Sequence, residues 1–373
     1  MNKNFYSLGL MSGTSMDGID ASIIQSDGDT KYNVILDKYF EYSKDIYQDL
    51  FDLKDKINNS NDLKKLSKET EALEKKITLL HAQAANEIIK DSKINVDLIG
   101  FHGQTIFHNT KKSLRSDERI SKQLGDGKLL AQLTKKTVVS NFRQNDILHG
   151  GEGAPLAPIF HKLLINQHKI NLPVTILNIG GIANFTHIKK DKIHAADIGP
   201  GNCLIDQWMK KNSNKNFDLD GKTAQSGKIN KIILDQAVDD WHDKFVDNYS
   251  SNRSYDIKDF DLSFVRGLSL EDGAATLTEY TSIILSGYID LVADARRIIV
   301  CGGGRKNKFL LKRISNKIRY GMVPIENFGI NGDFVESRTF AFLAIRSYLN
   351  LPISFPDTTG VRKPCLGGSI FKS

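Results

Sequence analysis

The sequence predicts a duplicated α/β fold with two lobes around a central cleft, and three observations carry that prediction. The 373 residues exceed the roughly 250 to 300 at which a single core stops growing, so two domains are expected. Short strand-like apolar segments are interleaved with amphipathic segments of helical length, the alternation of an α/β chain. An apolar segment, a glycine turn and a second apolar segment then occur twice, at residues 5–24 and 174–186, about 170 residues apart. The expected division is a first lobe at 1–142, with the tail 355–373 packing back on it, and a second lobe at 143–354.

Composition narrows the classes. With 40% hydrophobic and 25% charged residues, the chain is globular rather than disordered. A net charge of +7 is spread over many segments, with no basic block interleaved with aromatics, so no nucleic-acid partner is expected. An anionic small substrate is compatible with it. Cys203, Cys301 and Cys365 are odd in number and far apart, which speaks against a disulfide framework and for a reducing, cytoplasmic setting. No signal peptide is read at the start, and the most apolar stretch, 280–300, carries Asp290, Asp294, Arg296 and Arg297. No membrane span is expected.

Residues 5–36 read as strands broken by turns at Gly13 to Gly18 and at Asp27-Gly28-Asp29. From Leu63, the positions Leu66, Thr70, Leu73, Ile77, Leu80 and Ala84 continue one helical face, with a short coiled coil as the rival reading. Asp97 to Phe101 is a buried strand, expected to end in the turn His102-Gly103-Gln104-Thr105. Val174 to Thr186 repeats the opening pattern around Gly180-Gly181. Ile193 to Ala196 is a short strand, followed by a sharp turn from Asp197 to Asn202 and a helix from Cys203 to Lys211. A long helix over 274–295 leads to a strand at Arg297 to Cys301, the turn Gly302-Gly303-Gly304 and a helix carrying Leu310 and Ile314. The last helix is placed at Val335 to Leu349, before an irregular, then strand-like tail.

The glycine turns carry the chemistry. In Gly13-Thr14-Ser15-Met16-Asp17-Gly18-Ile19-Asp20, small residues let backbone N–H groups approach an anion, hydroxyls add donors, and Asp17 and Asp20 offer carboxylates for a hydrated Mg²⁺. An ordinary polar hairpin is the competing reading. Gly302 to Gly304 suits close approach to a nucleotide but is not the dinucleotide fingerprint, since Asn307 stands where its last glycine would fall. Asp220-Gly221-Lys222-Thr223 imitates a Walker A ending, but Asn216 occupies the position of that motif's first glycine. His102 and His108 lack partners for a zinc set. Arg143 can bind a carboxylate through paired donors or sit in a surface ion pair. Asp197 is a general-base candidate or a helix cap, and Glu336 a site acid or a dipole partner at a helix start.

In order and spacing, the segments Gly9 to Asp20, Gly100 to His108, Gln123 to Gly127, Asn141 to Asp146, Gly150 to Phe160, Asn178 to Thr186, Asp197 to Asn202, Ala275 to Glu279, Gly302 to Asn307 and Glu336 to Ala344 resemble those of the anhydro-N-acetylmuramic acid kinases. These are bacterial sugar kinases of the actin-like ATPase superfamily, whose lobes have the ribonuclease H-like fold. The resemblance implies that ATP phosphorylates the 6-oxygen of 1,6-anhydro-N-acetylmuramic acid while water opens the bridge, in cell-wall recycling by a cytoplasmic homodimer. It implies that Gly13 to Asp20 is the ATP phosphate loop, with Mg²⁺ held by Asp17 and Asp20. Asp197 would activate the water, Gly180 and Gly181 form a second phosphate hairpin, and Gly302, Gly303 and Gly304 the nucleoside side. His102, Arg143 and Glu336 would line the sugar pocket.

The chain departs from that pattern at Asn252-Arg253-Ser254-Tyr255, where a Pro-Lys-Ser-Thr-Gly-like segment is expected, and at Ser337 and Thr339, where smaller residues are. The rival readings are a kinase of levoglucosan or another amino sugar and, from another class, a chaperone or filament ATPase of the same superfamily.

Overall fold

The computed structural model describes residues 3–111, 114–190, 192–243, 254–292, 294 and 296–373, and divides into two units. Unit one comprises residues 1–169 and 333–373, unit two residues 170–332.

Nearly every residue of β1 (Phe5–Ser12) and β2 (Gly18–Ser26) is buried, as in strands covered on both faces. β3 (Tyr32–Glu41) is largely exposed and forms one edge of the sheet. β4 (Leu98–Asn109), β5 (Ile120–Leu124) and β6 (Thr137–Ser140) follow in unit one. In unit two come β7 (Val174–Ile179), β8 (Ile182–Lys189), β9 (Lys192–Pro200), β10 (Arg297–Cys301) and β11 (Gly321–Pro324). The final strand, β12 (Ser369–Phe371), pairs antiparallel with β6 and so returns to unit one.

The strand order β6-β4-β1-β2-β3 in unit one matches β11-β10-β7-β8-β9 in unit two. In each, three antiparallel strands form a meander and two further strands add parallel to the first. This shared topology is the duplicated ribonuclease H-like arrangement. Parallel neighbours need crossovers, which the helices supply. The helix Ser67–Ser92 lays Leu73, Ile77, Ala84, Ala85 and Ile88 into the first core. The helix Val335–Tyr348 packs so closely on β1 and β4 that a side chain at Gly9 would meet the Ser337 carbonyl at 1.8 Å, and one at Gly100 that of Phe340 at 2.1 Å. Asp37 of β3 ties this helix down through Arg338, while Ser22 lies 2.7 Å from Ser337 and Thr339 donates to the Val335 carbonyl. The hydroxyls at the two departures are thereby satisfied within the unit.

Several expectations need correction. The expected boundaries at 142/143 and 354/355 both fall inside unit one, because the helix Pro158–Gln167 packs Phe160 against Tyr32 and Phe342, and the helix Val335–Tyr348 lies on the first sheet. The strand expected to stop before His102 continues to Asn109, because its second half finds a partner in β5. Likewise β9 runs past Asp197 to Pro200, accommodated by a bulge opposite Ala183 and Asn184. The early amphipathic face is interrupted at Leu66, separating Ser60–Lys65 from Ser67–Ser92. The long helix of unit two is Leu270–Val292, and the end expected at residue 295 lies outside the described residues, as do Asn252 and Arg253. Among the described residues no helix is long and apolar enough to cross a membrane.

Candidate active site

In both units the candidate residues collect at the carboxyl edge of the parallel strands, where ligands of open α/β sheets bind. In unit one, β1 ends at Ser12 and the chain turns through Gly13 to Asp17 before β2 begins at Gly18. Met16 N–H donates to the Gly13 carbonyl at 3.2 Å, and Ser15 Oγ donates to the Asp17 carboxylate at 2.6 Å. The Asp17 carbonyl accepts from Tyr42 N–H at 2.8 Å and from the Tyr39 hydroxyl at 2.9 Å, and the Gly13 carbonyl accepts from Gln104 Nε2 at 2.9 Å.

The two glycines of the turn answer to different demands of the fold. Neither Gly13 nor Gly18 takes a positive φ; Met16 does, at 58°. Gly18 is required for space, since a Cβ there would meet the Phe40 carbonyl at 2.4 Å. At Gly13 nothing lies closer than Ser15 Oγ at 3.5 Å, so the fold itself would accept a side chain. Burial, followed by the charges of Asp17, Asp20 and Glu41, pushes the Tyr39 phenol up. The turn therefore carries a local negative field as well as its N–H donors.

His102, Arg143 and Glu336 also lie at this edge. His102 is buried: its Nδ1 faces its neighbour's Gly103 carbonyl at 2.8 Å, and Arg143 Nη2 reaches its Nε2 at 2.9 Å. A carbonyl only accepts, so Nδ1 carries the proton and the neutral ring accepts from Arg143. Burial, then the Arg143 charge, holds this histidine well below its usual range. Arg143 Nη1 donates to the Gly153 carbonyl at 2.7 Å. Phe340, one helical turn after Glu336, packs on His102 with ring centroids 4.4 Å apart. A separate cavity of about 350 Å³ in this unit is lined by Lys122, Gln123, Asn141 and Gln144 among others, and Arg143 is not part of its wall.

A residue not singled out from sequence secures this arrangement. Asp146 is fully buried, and its carboxylate accepts from Gly153 N–H at 2.7 Å and from the Ser354 and Thr359 hydroxyls, each at 2.6 Å. His108 faces Ser121 and Thr110 rather than a metal set. Among the described residues no three His, Cys, Asp or Glu side chains are grouped to hold an ion.

In unit two the Gly180-Gly181 turn joins β7 to β8, and the Gly302 to Gly304 turn follows the adjacent parallel strand β10. The carbonyls of Gly180 and Gly181 accept from the N–H groups of Gly201, Asn202 and Cys203 at 2.8 to 3.1 Å, drawing the hairpin onto the start of the helix Cys203–Asn212. Gly302 has a φ of 77° and abuts Asn178, while Gly304 abuts Ile179. Gly180 and Gly303, by contrast, have ordinary φ and room for a Cβ, with nearest atoms at 3.4 and 3.8 Å. Asp197 lies near the end of β9 at the same edge, partly exposed, and its carboxylate accepts from Tyr255 N–H at 2.9 Å. It is not the cap of the following helix, a position taken by Asn202. A larger cavity of about 510 Å³, lined by His187, Lys189, Lys192 and His194, opens at the opposite edge of this sheet, remote from the glycine turns.

A family model described as anhydro-N-acetylmuramic acid kinase matches residues 5–373. The chain is 51% identical to a protein of that name from Pelagibacter ubique over all of both chains. It is 37% identical to the one from Zymomonas mobilis, over 97% of this chain and 98% of that one, and 38% identical to the one from Rhizorhabdus wittichii, over 97% of each.

Proposed function

The chain belongs to the anhydro-N-acetylmuramic acid kinase family, and on that premise we propose that it converts 1,6-anhydro-N-acetylmuramic acid, water and ATP into N-acetylmuramic acid 6-phosphate and ADP. Full-length similarity to relatives of that name is the observation that carries the reading.

Asp197 takes the proton of the water that attacks the anomeric carbon. The bond from that carbon to O6 breaks, and O6 forms its new bond to the γ-phosphorus as ADP leaves. A carboxylate already held by the Tyr255 N–H is fixed in orientation before substrate arrives. The turns at Gly13, Gly180 and Gly303 hold the phosphates and nucleoside of ATP. Support comes from their free space: at each of these three glycines a side chain would fit the fold, so the open volume is available to a ligand. His102, Arg143 and Glu336 contact the sugar, Arg143 being suited to a carboxylate such as the lactyl group.

Mg²⁺ fits the first turn. Asp17 and Asp20, whose charges both act on the Tyr39 phenol, are the residues that would hold it, one or two carboxylates with phosphate oxygens and waters being the usual Mg²⁺ environment. Held there, Mg²⁺ would supply positive charge to offset that on the transferring phosphoryl group. Cytoplasmic peptidoglycan recycling by a homodimer completes the proposal.

Coupled ADP release tests it. Release strictly dependent on anhydro-N-acetylmuramic acid is expected. Release with levoglucosan alone, or with no acceptor, overturns the assignment in favour of another bridged sugar or of an acceptor-free ATPase.

A further inference from the structure

The helix Ser67–Ser92 presents three polar side chains on the face it packs into the first core. Glu74 accepts from Gly125 N–H at 3.1 Å, Thr78 from Asp126 N–H at 3.0 Å, and His81, one turn further on, lies 3.0 Å from Ser12 Oγ. Ser12 is the last residue of β1 before the Gly13 turn, and its Oγ lies 2.8 Å from the Tyr42 hydroxyl. Ser12, Tyr42 and His81 are all buried, so none of these groups can exchange its partner for bulk water.

The direction of the chain of hydrogen bonds follows from its end. His81 Nδ1 faces the Ile77 carbonyl at 2.8 Å, and a carbonyl only accepts, so Nδ1 carries the proton and Nε2 is bare. Ser12 therefore donates to His81, and Tyr42 donates to Ser12. Tyr42 also gives its backbone N–H to the Asp17 carbonyl, so the chain touches the turn at both ends. Burial, the main cause, lowers His81 to about 4 and keeps it the neutral acceptor this arrangement requires.

We propose that His81 is a positioning residue for the Gly13 to Asp17 turn, its bare Nε2 fixing the Ser12 hydroxyl and, through it, Tyr42, so that the turn is held in its phosphate-accepting form before ATP binds. The inference rests on reading that turn as the ATP phosphate loop. A hydrogen-bonded chain of this kind orders the turn in advance of the ligand, and its loss is felt in ATP affinity.

Steady-state kinetics and melting of the full chain test it with Tyr42→Phe, His81→Leu, His81→Gln and Gly13→Val. Tyr42→Phe and His81→Leu are expected to raise the KM for ATP about 3- to 10-fold, the worth of one hydrogen bond, with the KM for the sugar within about twofold. His81→Gln, whose amide oxygen can accept from Ser12, is expected to recover most of that loss. If His81→Leu does not fold, Tyr42→Phe, which removes one oxygen, decides the matter. A lowered melting temperature with unchanged KM for ATP makes the chain purely structural and overturns the proposal, as does His81→Gln behaving like His81→Leu. An unchanged KM for ATP in Gly13→Val overturns the phosphate-loop reading itself; a raised one, with Tyr42→Phe unaltered, overturns only the role of His81.

Discussion

Two nitrogens of Arg143 converge on one atom of His102: Nη2 at 2.9 Å and Nε at 3.3 Å from the bare Nε2. The pair is a cation held by a neutral acceptor inside the fold, and the fork geometry, not the charge alone, makes it. Arg143→Lys keeps the charge and loses the fork. Its KM for the sugar is expected to rise about 10-fold, roughly 1.4 kcal/mol, with the KM for ATP within about twofold. An unaltered sugar KM counts against Arg143 as a substrate contact.

Asp197→Asn is expected to lower kcat by at least about 10²-fold, the low end of general-base contributions. The asparagine oxygen can still accept from Tyr255 N–H, so the melting temperature should stay close to that of the parent. Turnover near that of the parent removes Asp197 from the base role.

Glycines of unit two separate ligand effects from folding effects. A methyl at Gly303 meets nothing closer than 3.8 Å, whereas one at Gly201 meets the Gly180 carbonyl at 2.2 Å. Gly303→Ala should leave stability within about 0.5 kcal/mol and weaken ATP binding. Gly201→Ala should destabilise by about 1 to 3 kcal/mol, since backbone must move. Thermal melts and ATP titrations on the two variants check both.

Acid should destabilise the protein above the carboxylate range. Burial lowers His81 and His161 to about 4 and His108 to about 3, against about 6.5 in the unfolded chain. Between these values the unfolded chain binds more protons than the folded one, so stability falls as pH falls from about 6.5 toward 4, by about 1.4 kcal/mol per pH unit for each such histidine. Melting temperatures from pH 7.5 to 5 test this, and a flat profile contradicts it.

The hairpins at Gly13 and Gly180 were legible because each glycine turn interrupts an apolar run long enough to be only a strand. The turn at Gly302 followed from the same cue. What stayed hidden depended on partners distant in sequence. The extension of β4 past His102 exists because β5 pairs with it, and the domain boundary falls near Lys169 because Phe160 meets Tyr32 and Phe342. His81 sat in plain view on the helical face, and a histidine among core positions was the available signal. Its partners, Ser12 and Tyr42, are brought to it only by the tertiary fold. Asp146 gave no local sign of its role either, since two of its three donors come from the far end of the chain.

That buried carboxylate has a bearing on synthesis. Ser354 and Thr359 must emerge from the ribosome before the loop bearing Arg143 can be fastened, while residues 170–332 are already available to fold as a unit. The unit begun first is thus finished last, and a nascent chain that has passed residue 332 but not Thr359 holds a second unit free to fold and a first unit whose Arg143 loop is still unlatched.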